Sequence, residues 1–306
     1  MLPYTGSGPY CYANSVSMML GDASPGPDVI EVLTGSPFGF QLLGGRSPQF
    51  DPYGWDPGIG IDDAITRLGF ACDRTEGGTA EDAHDRLRAA VAAGPAMIGP
   101  VEFGLLRHDP SMTGPIGADH YVVALAVDDG LVTFHDPHAY PYATLPVGDF
   151  LKAWHAETLN YGAPFTMRTR FRRESDVDAP AALRAAIPGA VDWLTGRTDL
   201  EIPPAHLGGA AGLAALAELI AAGPSTDLRA HLVYFAIRVG ARRLNDAAVC
   251  LRRLTLPAAA AAAADLSRRV GSLQFDLIAG EHARAADTVA GLASGYDRYR
   301  EALAAV

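Results

Sequence analysis

Three cysteines in 306 residues, Cys11, Cys72 and Cys250, are too few and too scattered for a disulfide framework, and none stands at the paired spacing of a zinc site. An odd number leaves at least one thiol free. Positive charge is also scarce: 24 Lys and Arg against 35 Asp and Glu leave a net charge of −11. Affinity for nucleic acid depends on clustered Lys and Arg, so nucleic acid is not an expected partner. No run approaches the roughly 18 consecutive apolar residues that cross a bilayer. The start Met1-Leu2-Pro3-Tyr4-Thr5-Gly6 lacks the basic segment of a secretory signal. No membrane association and a cytoplasmic location are therefore expected. There is no Gly-x-x-x-x-Gly-Lys-Ser/Thr loop, which excludes fusion to a transporter ATPase. With a candidate nucleophile ten residues from the start, a stand-alone enzyme is expected. Nine histidines include no His-x-x-x-His pair on a helix with an acidic third ligand. A metal on His135, Asp136 and His138 ranks below the reading given next, and neither metal nor cofactor is expected.

What is present begins with Cys11, in Tyr10-Cys11-Tyr12-Ala13-Asn14-Ser15, with His120 and Asp136 far downstream. These residue types, in this order, suit a thiolate nucleophile, its proton acceptor and the group orienting that acceptor. Tyr12, Val16, Met19 and Leu20 recur at helical spacing and Gly21 follows as a stop, so Cys11 opens a helix. Unpaired N–H groups and the positive end of the helix dipole favour a thiolate there. Tyr121 to Val127, the turn Asp128-Asp129-Gly130, and Leu131 to Phe134 read as a β-hairpin. His120 starts its first strand and Asp136 ends its second, so antiparallel closure brings the two side by side. Asp119 points to the opposite face and is a poor member of the triad.

Composition divides the chain near residue 170, from a mixed, Gly- and Pro-rich half to an Ala- and Leu-rich one. The expected fold class is α+β: residues 1–170 form a thiol domain and 171–306 an all-α helical domain serving as scaffold, lid or docking element. Helices are expected over 62–68 and 79–93, the second capped at Thr79 and ended by Gly94-Pro95, with a strand over 96–103. Five further helices are expected over 179–194, 207–222, 225–244, 258–277 and 282–304.

The segment 36–60 is rich in Gly and Pro yet carries Phe38, Phe40, Phe50, Tyr53 and Trp55. Linkers are seldom so apolar, so it reads as a cover over the site, with Phe38, Phe40, Tyr53 and Trp55 as substrate-binding candidates. An irregular packed loop is the competing reading. Glu102, after a strand, is a further substrate-contact candidate, with a surface carboxylate as the alternative. Cys72 reads as a buried strand residue and Cys250 as a core helix residue.

At the Cys11 helix, the Gly94-Pro95-Ala96-Met97-Ile98 strand entry and the His120 to Pro137 hairpin, the sequence resembles the papain-like fold of bacterial double-glycine-leader peptidases. More closely, it resembles the butirosin biosynthesis protein H family. The resemblance covers residues 8 to 155, and a helical domain after the thiol domain is also similar. It implies a papain-like cysteine-peptidase domain, with Cys11 as nucleophile, His120 as base and Asp136 as orienter. The implied chemistry is transfer of an acyl group from a carrier-protein thioester, borne on phosphopantetheine, to a small-molecule amine in natural-product biosynthesis. Cyclisation is the outcome where the nucleophile belongs to the acyl chain. In the papain-like peptidases a Gln before the cysteine donates to the oxyanion, and residues 4–10 contain none. The Cys11 N–H remains available, with Tyr4, Thr5, Ser7 or Asn14 as candidate second donor. The alternatives are a cysteine hydrolase (peptidase, amidase or thioesterase) and a non-catalytic binding protein on the same fold. The acyl chain, the acceptor and the oligomeric state have no signature in the sequence.

Overall fold

The computed structural model describes residues 10–306. In chain order the main elements are α1 (Cys11–Leu20), α2 (Pro27–Leu33), β1 (Gln41–Leu43), β2 (Ser47–Gln49), α3 (Pro57–Arg67), β3 (Phe70–Thr75), α4 (Ala80–Ala93) and β4 (Ala96–Glu102). They continue with β5 (Asp119–Asp128), β6 (Leu131–Asp136), β7 (Tyr140–Pro146), α5 (Val147–His155), β8 (Met167–Arg173), α6 (Ala179–Thr195) and β9 (Leu207–Gly208). Last come α7 (Gly209–Ala221), α8 (Thr226–His231), α9 (Ile237–Arg253), α10 (Pro257–Ala279) and α11 (His282–Ala304). The protein is α+β, with antiparallel sheets and a helical C-terminal region.

The described chain divides into two compact units that are not consecutive in sequence. One comprises Tyr10–Pro27 and Leu68–Asp176, the other Asp28–Arg67 and Val177–Val306. The C-terminal boundary lies close to the expected residue 170. The difference is that 28–67, expected in the thiol domain, packs with the C-terminal helices.

The first unit is built on a six-stranded sheet ordered β3-β8-β4-β5-β6-β7. Its central hairpin pairs β5 with β6, with Val127 opposite Val132 and Asp128 opposite Leu131. Asp129 and Gly130 both adopt positive φ, 50° and 77°. That combination matches the right-handed twist of the flanking strands, which is why Asp-Gly closes two-residue hairpins. Ile98, Val122, Ala124, Phe134, Phe150 and Trp154 lie in one apolar core with residues of α4 and α5. The Trp154 indole N–H is satisfied by the Thr166 carbonyl at 2.9 Å. The α4 N-terminus carries a reciprocal cap: Thr79 Oγ1 accepts from the Asp82 N–H, and Asp82 Oδ2 accepts from the Thr79 N–H. Next along β5, Tyr121 meets α1, where the Tyr12 ring stands edge-on to it at 6.1 Å and the Ser15 hydroxyl donates to its carbonyl.

In the second unit the expected helices 179–194, 207–222, 258–277 and 282–304 are α6, α7, α10 and α11. The expected helix over 225–244 is α8, a π-helical stretch over Leu232–Ala236 and α9, which runs on to Arg253. The aromatic segment supplies core to this unit. Phe38 lies 5.8 Å from the Tyr299 ring and Phe40 5.3 Å from Phe50. Trp55 is buried and donates its indole N–H to the Thr34 carbonyl at 2.8 Å. Tyr53 lies against Gly208 of β9, where any side chain would overlap its ring. The substrate-cover expectation for Phe38, Phe40 and Trp55 is therefore corrected: their side chains are spent in this core.

A buried ion network ties the segment to α9. Arg243 donates to Glu31 Oε1 at 2.7 Å and to Asp51 Oδ2 at 2.9 Å, and Gln41 Nε2 donates to Asp51 Oδ1 at 2.7 Å. All four side chains are buried. Two buried carboxylates share one guanidinium, so removing that cation takes away the charge that compensates both.

Candidate active site

β5 and β6 bring His120 and Asp136, sixteen residues apart in sequence, to one hydrogen bond of 2.6 Å between Nε2 and Oδ1. Both residues are buried. The His120 ring stacks on Phe103 at 4.4 Å with an interplanar angle of 19°, which fixes the plane of the imidazole. Because Nε2 is committed to the carboxylate, Nδ1 is the atom left for a reacting group. Neutral histidine with a proton on Nε2 carries its lone pair there.

Asp136 accepts two more hydrogen bonds. His108 Nε2 lies 2.9 Å from Oδ2, and the His138 N–H donates to Oδ1 at 2.7 Å. Burial pushes the carboxyl up. The hydrogen bonds from His108 and His120, the His120 charge and the His138 N–H more than offset it and hold Asp136 far below the usual carboxylate range. Asp136 is thus an anion with three donors aimed at it.

Sequence reasoning missed His108. It sits in a turn after β4, held by Asp109, whose Oδ1 accepts from the N–H and hydroxyl of Ser111 at 2.9 and 2.7 Å. Burial pushes the Asp109 carboxyl up, and the Ser111 hydrogen bonds together with the nearby His138 and His108 bring it to a net lowered pKa. Only the Arg107-His108-Asp109-Pro110 run, with Asp-Pro as a turn signal, hints at this in the sequence.

Glu102 is neither of the things expected of it. It is buried, and its Oε1 accepts from the N–H groups of Gly104 and Ile116 at 3.1 and 2.9 Å. Its Oε2 accepts from the Gly117 N–H at 3.1 Å and from the Thr158 hydroxyl. It pins both ends of the 103–117 loop that carries His108, and its oxygens are occupied by protein donors.

Cys11 is the first residue of α1, half-buried, with Tyr10 as the cap residue. Tyr121, one residue beyond His120, lies within electrostatic reach of Cys11. Tyr121 is raised well above its ordinary pKa by burial and the Asp119 carboxylate, with Cys11 contributing. Tyr121 and Tyr161 hydroxyls lie 3.3 Å apart, and Tyr161 donates to Asp119 Oδ2 at 2.7 Å, so Asp119 serves this tyrosine pair.

Of the oxyanion candidates, Asn14 donates its side-chain N–H to the Tyr10 carbonyl at 2.8 Å and is committed to the start of α1. Tyr4, Thr5 and Ser7 lie outside the described residues. His135 Nδ1 accepts from the Tyr142 N–H at 3.1 Å and so turns to other company than Asp136 and His138. Among the described residues no group of three His, Cys, Asp or Glu side chains is arranged to hold a metal ion, and no helix is long and apolar enough to cross a membrane. Cys72 is half-buried on β3. Cys250 is buried in α9, and burial above all, with the Asp28 charge, pushes its thiol up to about 12.

Residues 203–304 match the family model of the YobF C-terminal domain, which places the match in the helical region from before β9 to the end of α11. Over 255 residues the chain is 28% identical to the uncharacterized protein YobF of Bacillus subtilis (strain 168), covering 81% of each. That likeness extends beyond the matched domain and takes in part of the sheet unit.

Proposed function

We propose that the sheet unit is a thiol acyl-transfer enzyme on a papain-like fold. Cys11 takes the acyl group, His120 accepts the thiol proton on Nδ1, and Asp136 holds the imidazole by Nε2. The observation that carries this reading is the 2.6 Å bond between His120 Nε2 and Asp136 Oδ1 in a carboxylate kept ionised, since it leaves Nδ1 as the base. Cys11 at the first position of α1, with α1 packed on β5 beside His120, supplies a nucleophile at a helix N-terminus. The proposal adds one contact to the geometry described above, His120 Nδ1 to the Cys11 sulfur, made around the end of β5.

In the first step the sulfur attacks the acyl carbonyl, the thiol proton passes to His120, and the leaving thiolate takes that proton back. In the second step an acceptor attacks the acyl-enzyme carbonyl, and His120 takes its proton and returns it to the departing Cys11 thiolate. A carrier-bound thioester suits the first step because exchange between thioesters is nearly isoenergetic, and the family resemblance points to an amine for the second. Water is the alternative acceptor. Transfer to an amine outcompetes hydrolysis only where water is excluded from the site.

The test is consumption of a panel of phosphopantetheine and simple acyl thioesters, with products analysed in the presence and absence of an amine. Turnover lost in both Cys11→Ala and His120→Ala supports the reading. Amide against free acid then assigns transferase or hydrolase. Turnover that persists in Cys11→Ala overturns it.

A further inference from the structure

The carboxylate of Asp136 serves two imidazoles. His120 Nε2 meets Oδ1 and His108 Nε2 meets Oδ2. An ionised carboxylate only accepts hydrogen bonds, so both ring atoms facing it must carry protons. His108 is itself held on two sides: Phe134 of β6 and Tyr140 of β7 meet its ring nearly at right angles, at 4.9 and 5.1 Å. Its side chain is 7% exposed, and its Nδ1 is buried without a hydrogen-bond partner among the described residues. A general base needs a reachable lone pair. The burial of this one rules His108 out as a base and leaves it the role of donor.

We propose that His108 is a positioning residue that rests on the function proposed above: its Nε2–H clamps the Asp136 carboxylate so that Oδ1 faces His120, fixing His120 with Nε2 protonated and Nδ1 free for the Cys11 thiol. A carboxylate held at one oxygen alone swings about its Cβ–Cγ bond. Held at Oδ2 by His108 and at Oδ1 by the His138 N–H, it presents a single lone-pair direction to His120. The charged and titratable groups around His108 are Asp136 of β6, Tyr140 of β7, Asp109 of its own turn and, across Asp109, His138 at 3.7 Å. His120 meets the other oxygen of Asp136. The strength of the clamp agrees with the depression of Asp136, in which the His108 hydrogen bond is the leading lowering contribution.

The test has two readouts on the full chain. In the first, the rate of Cys11 alkylation by iodoacetamide is followed from pH 5 to 10 in wild type, His108→Leu and His108→Gln, with thermal melts as the folding control. Gln keeps a donor near the position of Nε2; Leu does not. His108→Leu is expected to lose about ten- to hundredfold in rate near pH 6 to 7, the cost typical of a misplaced catalytic group. His108→Gln is expected to recover most of it. A Leu variant that folds and keeps the wild-type profile, while Asp136→Asn alters it, overturns the proposal.

In the second readout, long-range proton–nitrogen correlation spectra assign the tautomers of His108 and His120. Protons on Nε2 of both in wild type, with His120 becoming a tautomer mixture in His108→Leu, support the clamp. A bare Nε2 on His108 in wild type overturns it whatever the variants do. A wild-type Cys11 profile with an ordinary midpoint near 8.5 overturns instead the function on which the clamp rests, and the spectra alone then decide whether the clamp exists.

Discussion

Asp136 is the residue on which the candidate site converges, and its ionisation gives the molecule a pH signature. Its folded pKa lies far below the ordinary value of about 3.9. Between those values the unfolded chain binds the proton and the native state does not. The stabilisation is therefore complete above about pH 4 and is lost as pH falls toward the folded value. Urea unfolding between pH 3 and 5 is expected to show a shallower loss of stability in Asp136→Asn than in wild type. Asp109, also lowered, keeps the slope from vanishing. At the opposite extreme, Cys250 carries a thiol pushed up to about 12. Peptide mapping after iodoacetamide treatment of the folded protein at pH 7.5 is expected to find Cys250 unmodified, with labelling appearing only in denaturant.

His120 and Asp136 were legible in the sequence as neighbours because both belong to one hairpin. Once Asp129-Gly130 is recognised as its turn, strand arithmetic does the rest. His108 was not, because its place depends on how a loop without periodicity is pinned by Asp109 and Glu102.

At the scale of elements, the 103–117 loop depends on Glu102. Glu102→Ala removes the acceptor for three N–H groups, those of Gly104, Ile116 and Gly117. Hydrogen exchange is expected to speed up at those amides in the variant and to leave the α4 amides unchanged. Gly240 in α9 lies against the Phe50 ring, which a β-carbon would overlap. Gly240→Ala is expected to destabilise by about 1–3 kcal/mol despite alanine's higher helix propensity, because packing strain exceeds the propensity gain. Denaturant midpoints measure it. Most helices were legible from apolar spacing and caps, Thr79 with Asp82 being the clearest. The 225–244 pattern was not resolved into α8, a π-helical stretch and α9, because the extra residue of a π turn leaves apolar spacing nearly intact.

For the whole molecule, order in sequence is not membership of a unit. Composition marked a boundary near residue 170, but it could not tell that 28–67 packs with the helices that follow it. An apolar loop has the same composition whichever core it fills. The tie itself, Arg243 to Glu31 and Asp51, joins residues far apart in the chain and has no local signature. Arg243→Ala takes the shared cation away from two buried carboxylates and is expected to cost about 3–5 kcal/mol in unfolding free energy. A fragment ending at Asp176 leaves Phe38, Phe40, Phe50 and Trp55 without the helices they pack on. It is expected to bind the dye ANS and aggregate, whereas a self-contained first domain would remain monomeric and dye-free.

The most direct measurement of the central claim is intact-mass spectrometry of wild type, Cys11→Ala and His120→Ala, each quenched in acid seconds after mixing with an acyl thioester. The account predicts an acyl adduct on the wild type that maps to Cys11, its absence in Cys11→Ala, and slower formation in His120→Ala. An adduct that survives in Cys11→Ala, or wild type and His120→Ala acylated at the same rate, would contradict it.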